Sequence, residues 1–309
     1  MTRPFRFGVQ CIVAGSRREW QEKARRIEEL GYQTFYVCDH FGAQLSPVPA
    51  LLSAAEATRE LRVGTLVFDN DFRHPVELAK QVATLDLLCD GRFECGIGAG
   101  WLRSEYEQAG VPFEPGATRV AKLEEAVAIL RALWRPEPVH FAGRHYVVSG
   151  LVGTPAPARP GGPPLMIGGG GPRILRLAGR EADIVGLVPR SRADGAGLDL
   201  DDFSSASFAK KIGWLREGAG DRFDALELAT LRQAVVVTED RVASAKELAT
   251  RYGIRAEVLL DTPYALIGSV AEIEAQLLAL RDRFGVSYFA LFERDAERFA
   301  PIARKLAGR

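Results

Sequence analysis

Leu165-Met166-Ile167-Gly168-Gly169-Gly170-Gly171-Pro172 passes from a short apolar run through four glycines to a proline, and Ile174 to Arg180 continues at amphipathic spacing. Four glycines free the backbone to turn through left-handed angles and let its N–H groups approach a ligand closely. Pro172 suits the first position of a helix, where its missing N–H costs nothing. A strand, a glycine turn and a helix N-terminus together form a ready site for an anion, phosphate being the usual guest. A plain strand-to-helix turn is an equal reading. The run does not fit G-x-G-x-x-G with an acidic ribose ligand about 20 residues on, so it points to a phosphate-bearing ligand other than a nicotinamide dinucleotide.

Outward from this stretch, the same strand-then-helix unit recurs. Phe5 to Ile12, Thr34 to Cys38, Arg62 to Phe68 and Phe93 to Ile97 read as strands, each followed by an amphipathic segment. The spacing predicts helices through Trp20, Ala24, Ile27 and Leu30, through Leu51 to Thr58, from Pro75 through Leu88, and through Leu123 to Trp134. The rhythm stops at about residues 135–163, which are rich in Pro and Gly and carry a hairpin-like His140 to Val148. It resumes with strands at Leu165 to Ile167, Asp183 to Leu187, Leu226 to Val237 and Ser287 to Phe292. Between them lie a polar, glycine-containing stretch from Arg190 to Ser205, read as a mobile loop, and helices over Ala206 to Arg216, Ala243 to Tyr252, Val270 to Phe284 and Ala296 to Leu306. About eight alternating units predict a (β/α)8 TIM barrel with an insertion before the fifth strand, residues 1–309 forming a single domain. A doubly wound open sheet is the alternative.

Composition narrows the function. The chain has 309 residues, 47% hydrophobic and 26% charged, with 40 basic and 40 acidic side chains balancing to zero. That balance argues against nucleic acid or a membrane surface as partner, and no apolar run approaches the roughly 20 residues of a spanning helix. The four cysteines, Cys11, Cys38, Cys89 and Cys95, show neither a C-x-x-C nor a zinc spacing. With no signal-peptide pattern after Met1, a cytoplasmic location with reduced thiols is the expectation.

In a barrel, chemistry gathers at the C-terminal strand ends. Those ends carry Asp39-His40, the Leu66-Val67-Phe68-Asp69 region, Gly98-Ala99-Gly100-Trp101 and the four glycines. His40 is the candidate acid, base or donor; as a structural alternative, Asp39 caps the next segment and His40 packs. Gly96, Gly98 and Gly100 alternate through a strand end, which suits either a flat ring lying close or a tight barrel corner. Trp101 adds an aromatic wall. His74, His140 and His145 read as solvated or loop residues, and no metal site is inferred. No nucleophile elbow or P-loop lysine occurs, so a bound cofactor is expected to perform the hard chemistry.

At these residues the chain resembles the luciferase-like monooxygenase superfamily, and within it the coenzyme F420-dependent oxidoreductases. The resemblance runs from Phe7 to about Phe292 through Glu29-Leu30-Gly31-Tyr32, Asp39-His40, Leu61 to Thr65, Arg73-His74-Pro75, Ala83 to Asp86, Asp90-Gly91-Arg92, Gly96 to Trp101, Glu105-Tyr106, Gly168 to Gly171 and Ala182-Asp183. It implies a barrel with an insertion, commonly a homodimer, holding a deazaflavin over the strand ends with its phosphate at Gly168, Gly169, Gly170 and Gly171. It implies a non-prolyl cis peptide at Leu66-Val67 beneath the ring, Asp39 as the cofactor-contacting acid, Gly98, Ala99, Gly100 and Trp101 along the cofactor, and His40 beside the reactive carbon. Members that oxidise sugar phosphates carry a glutamate proton donor where this chain has Trp101 and a tryptophan where it has Gln44. The resemblance thus implies hydride exchange between the deazaflavin C5 and a small organic substrate other than a sugar phosphate. A reduced-FMN and O₂-dependent flavin monooxygenase and a non-catalytic flavin-binding protein are the alternatives. Substrate choice is assigned to the insertion and to the loop from Arg190 to Ser205.

Overall fold

The computed structural model describes residues 3–309. Eight parallel strands close on themselves: β1 Arg6–Gln10, β2 Thr34–Val37, β3 Arg62–Thr65, β4 Phe93–Gly98, β5 Leu165–Gly169, β6 Ile184–Leu187, β7 Glu227–Leu231 and β8 Val286–Phe292. Closure is direct, with Phe7 of β1 opposite Phe289 of β8 and Val63 of β3 opposite Phe93 of β4. The fold is the expected (β/α)8 barrel and not an open sheet.

The helices form where apolar spacing meets an end signal. Arg17–Glu29 buries Trp20, Ala24 and Ile27 and starts at Ser16, whose side chain accepts from the Glu19 N–H. Val270–Phe284 starts with a reciprocal capping box between Ser269 and Glu272 and ends at Gly285, whose φ of 76° demands glycine. Phe5, Phe7, Phe289 and Phe299 stack between the barrel and the closing helix Glu293–Leu306. No described helix is long and apolar enough to cross a membrane.

Inside, the N-terminal half of the barrel is closed by a polar plug. Tyr36 and Tyr288 both donate to Glu94 Oε2, at 2.9 and 3.0 Å, and Arg62 Nε donates to Glu94 Oε1 at 2.6 Å. Arg6 pairs with Glu94 and, at 2.7 Å, with Glu227. Burial opposes the Glu94 charge, but the Arg6 and Arg62 guanidiniums outweigh it and hold this carboxyl below its ordinary range. With that end sealed, a ligand has only the C-terminal end to enter.

Pairing departs from the sequence expectation at two strands. The run from Arg62 to Phe68 is not continuous: β3 stops at Thr65, the Leu66-Val67 peptide is cis, and Phe68–Asp69 rejoins the sheet against Ile97 and Gly98 of β4. The run from Leu226 to Val237 also divides. Its second half, Ala234–Val237, leaves the barrel and pairs in parallel with Ala265–Gly268. That partner strand and the helices Arg103–Ala109 and Ala256–Asp261 carry too few residues for periodicity to mark them. The insertion forms the expected hairpin, Val139–Ala142 against Val147–Leu151.

Candidate active site

Three strand ends meet around His40. The residue follows β2, its side chain is 27% exposed, and its Nδ1 lies 2.7 Å from Oε2 of Glu105, itself 12% exposed. Trp101, just past β4, sets its ring at 90° to the imidazole with centroids 5.9 Å apart. Asp39 is buried, and both its carboxylate oxygens have protein partners: Arg73 forks onto them, with Nη2 3.0 Å from Oδ1, and the Asp69 N–H donates to Oδ2 at 3.1 Å. Asp39 thereby ties the end of β2 to the chain beyond the cis bond.

The Leu66-Val67 bulge accounts for two of the three alternating glycines, Gly96 and Gly98. Leu66 and Val67 bulge toward the barrel mouth, and the Val67 side chain drops into space left by Gly96, Gly98 and Gly168. A Cβ at any of these would stand 2.8 to 3.0 Å from a Val67 methyl. Val67 is the closest neighbour of Gly98 and Gly168, while Gly96 also stands against the Thr65 carbonyl, and what the three leave to a ligand is the surface carried by Leu66 and Val67, both partly exposed. Gly100 is required on other grounds: its φ is 71°, and a Cβ there would strike the Tyr106 hydroxyl and the Asp69 carboxylate. Its carbonyl and that of Ala99 face Arg119, whose Nη1 donates to Gly100 O at 2.7 Å.

The four glycines stand where expected but for a different reason. None of Gly168, Gly169, Gly170 and Gly171 has a positive φ. Gly168 and Gly169 belong to β5. A Cβ on Gly169 would meet Ile174 at 2.5 Å, and one on Gly170 would meet the Val188 carbonyl at 2.4 Å. Close packing, not left-handed geometry, selects Gly168, Gly169 and Gly170. Only Gly171 faces open space, with nothing within 4 Å of an added Cβ, and no side chain caps the helix Pro172–Glu181 that it begins. The first-turn N–H groups and the helix dipole therefore remain available to an anion.

Asp69 is the most perturbed carboxyl group nearby. Burial pushes its carboxyl up to about 7; the Asp71 N–H and Tyr106 hydroxyl it accepts from pull it down, while the Asp71 and Asp39 charges push it further up. Its folded value exceeds the unfolded one, so folding takes up a proton. The resulting stability is complete below about pH 4 and is lost as pH rises through about 7, on the order of 4 kcal/mol in all. Asp69→Asn keeps an acceptor for Tyr106 and for Asp71. It is expected to melt higher than wild type at pH 8, and thermal melts at pH 5 should show that advantage gone.

The loop expected to be mobile is tied down. Arg103 holds it through its N–H to Gly195 O at 3.2 Å and its Nε to Asp194 O at 2.7 Å. From the other side, the Arg190 N–H donates to Asp202 at 2.7 Å, and Asp202 pairs with the fully buried Lys211. The loop so bridges β5's glycines to the Trp101 segment. His74 caps the helix Pro75–Leu88, its Nδ1 accepting from the Val76 N–H. His140 and His145 stay in the hairpin, and no metal-holding cluster occurs among the described residues. Glu105 and Arg73 were not singled out from sequence as site residues, and Asp69 entered only as the end of the Leu66-Val67-Phe68-Asp69 region. Glu105 and Arg73 each fall inside a quoted landmark, but their partners lie 65 and 34 positions away.

The fold is a (β/α)8 barrel with its candidate site at the C-terminal strand ends, and comparison with known proteins places it in a family. The model of the luciferase-like monooxygenase family matches residues 3–302, and the chain belongs to that family. The chain is 34% identical over 192 residues to an F420-dependent glucose-6-phosphate dehydrogenase of Amycolatopsis mediterranei (strain U-32), covering 59% of this chain and 55% of that protein. The match thus spans about half the length of such relatives. In structure it is similar to the coenzyme F420-dependent tetrahydromethanopterin reductase of Methanopyrus kandleri, with TM-score 0.77, 18% identity and coverage of 98% of this chain and 99% of the other. It is also similar to the monooxygenase RslO1 of Streptomyces bottropensis, with TM-score 0.75, 21% identity and coverage of 97% and 99%. At these identities the likeness speaks for the fold.

Proposed function

We propose that this protein is a coenzyme F420-dependent oxidoreductase that moves a hydride between C5 of the deazaflavin and a small organic substrate. The observation that carries the reading is His40, backed by Glu105 and walled by Trp101, at the same barrel mouth as the uncapped helix start at Gly171. The donor set fits the cofactor: backbone N–H groups for a phosphate, a partly exposed apolar bulge for a flat ring, and a histidine for the proton. The F420-dependent activity named for the Amycolatopsis relative supports the same choice.

When bound, the deazaflavin supplies a two-electron hydride carrier. In this reading Gly168 to Gly171 and the helix behind them hold its phosphate, the surface over Leu66-Val67 supports the ring, and Gly98 to Trp101 line its edge. Asp39 locks the bulge in register through Arg73 and Asp69. His40 moves the proton that accompanies the hydride, and Trp101 keeps water from the reacting atoms. Residues 1–309 serve as one domain, taken to work as a homodimer in the cytoplasm without nucleic-acid or membrane partners.

The substrate we assign is uncharged. Arg73 is bound to Asp39, Arg190 to Asp199 and Asp202, Lys211 to Asp202, and Arg103 and Arg119 to backbone carbonyls. At Arg73, Arg190 and Lys211 a sugar phosphate would have to break an ion pair to find a partner for its dianion.

Fluorescence titration with coenzyme F420 and, in parallel, with FMN tests the reading. Tight binding of the deazaflavin alone is expected, with turnover of alcohols, unsaturated carbonyls or imines and none of glucose 6-phosphate. Preference for FMN, with O₂ consumed during turnover, would transfer the protein to the monooxygenases. Binding of both without turnover would make it a flavin-binding protein.

A further inference from the structure

We infer that Glu105 is the positioning residue of this site: its carboxylate fixes the hydrogen of His40 on Nδ1 and leaves Nε2 bare as the proton-accepting atom. The inference rests on the proposed redox function only for the step that Nε2 then performs.

The geometry is specific. A carboxylate accepts and does not donate, so at 2.7 Å the shared hydrogen belongs to the imidazole Nδ1. His40 is the sole side-chain partner of the Glu105 carboxylate among the described residues. The carboxylate is also held from both sides. Glu105 lies in the first turn of the helix Arg103–Ala109. Two residues before it, Arg103 is pinned to Asp194 and Gly195 of the loop after β6. One residue after it, Tyr106 donates to the buried Asp69. Trp101 stands edge-on to the imidazole and restricts its rotation. A mere surface ion pair has none of this scaffolding.

A neutral imidazole carries one N–H, free to sit on either nitrogen unless a neighbour selects. With Nδ1–H committed to Glu105, Nε2 offers its lone pair to the substrate. For an alcohol, the O–H bond would break with its proton passing to Nε2, while the carbinol C–H bond would break with its hydride taken up by oxidised deazaflavin, the two-electron oxidant. The substrate becomes a carbonyl compound two electrons poorer, and the imidazolium formed keeps its other hydrogen on Glu105. The arrangement is the orienting-acid logic of a base whose second nitrogen is held by a carboxylate. It also supplies what the Trp101 position lacks, since the carboxylate acts through His40 and need not reach the substrate.

The test begins with ¹⁵N imidazole NMR on the full-length protein without cofactor, the His40 signals being assigned by their loss in His40→Gln. Wild type is expected to show Nδ1 protonated and Nε2 bare at the pH where His40 is neutral. In Glu105→Gln, which conserves shape, the amide is able to donate, and the hydrogen should move to Nε2. With coenzyme F420 and a turned-over alcohol, kcat of Glu105→Gln should fall about 10²–10⁴-fold, with KM and cofactor Kd near wild type. Adding His40→Gln to that variant should cost no further activity, since both changes remove one unit. A wild-type Nε2–H tautomer, or a tautomer and kcat that ignore Glu105→Gln, would overturn the proposal. The NMR result needs no cofactor, so failure to bind the deazaflavin would sink the proposed function while leaving the role of Glu105 standing.

Discussion

Gly96→Ala is expected to destabilise the barrel by about 3 kcal/mol or more, lowering the melting temperature by roughly 5–10 °C or leaving the protein insoluble. The added Cβ would sit 2.0 Å from the Thr65 carbonyl oxygen and 3.0 Å from Val67 Cγ1. Relief by a side-chain rotation is unavailable, because the nearest atom is backbone. Nor can β3 and β4 spread cheaply. Thr65 Oγ1 donates to Gly96 O at 2.7 Å and accepts from the Gly96 N–H at 2.9 Å, so separation costs both bonds in a fully buried place. The change also lifts the bulge at Leu66-Val67, so any surviving protein should bind a flat cofactor more weakly. Gly171→Ala is the control: with open space around it and no positive φ, it should cost within about 1 kcal/mol. Equal melting of wild type and Gly96→Ala would mean that the bulge is not held as described. Thermal unfolding by circular dichroism decides it.

How much of this was legible in the sequence follows from which information is local. The barrel was, because each unit announces itself within about 30 residues through an apolar run, a helical stripe and a cap such as Ser269 with Glu272 or the glycine at 285. The strand ends that carry the site were legible for the same reason. What pairs with what was not. The run divides at the polar pair Arg232-Gln233, but nothing local signals that Ala234–Val237 abandons β7 for Ala265–Gly268, since that choice lies with a partner some 30 residues on. The Leu66-Val67 cis bond was anticipated from family likeness alone, and the reason for Gly96, Gly98 and Gly168 becomes visible only once Val67 is seen between them. The four glycines show the limit best. Their position was read correctly and their cause was not: glycine tolerates positive φ and also close approach, and residue type alone does not say which a site uses. Glu105 was invisible as a functional residue because its significance is a 2.7 Å contact across 65 residues of chain.

His40→Gln is expected to lower turnover about 10²–10⁴-fold, the range typical of a group that moves a proton in the transition state, while leaving the deazaflavin bound nearly as tightly. The amide is the informative replacement. His40→Ala should show the same loss of turnover, but it also strips the largely buried Glu105 carboxylate of its partner, at a cost of about 1–3 kcal/mol that would blur the reading. Glutamine can donate to Glu105 in place of Nδ1 and still has no titratable nitrogen to offer the substrate. Stability should survive, because His40 touches the hydrogen-bonded Glu105 and the edge-on Trp101 and belongs to no core cluster. The proposed phosphate site at Gly171 lies on another strand end and does not involve His40. Binding by fluorescence titration and turnover by the deazaflavin absorbance should therefore separate: affinity held, kcat lost. Unchanged turnover would take His40 out of the proton's path and hand it to the substrate or solvent. A loss of affinity with kcat preserved would make His40 part of the cofactor's seat, and the base would then have to be sought among groups that the Trp101 side of the mouth does not supply.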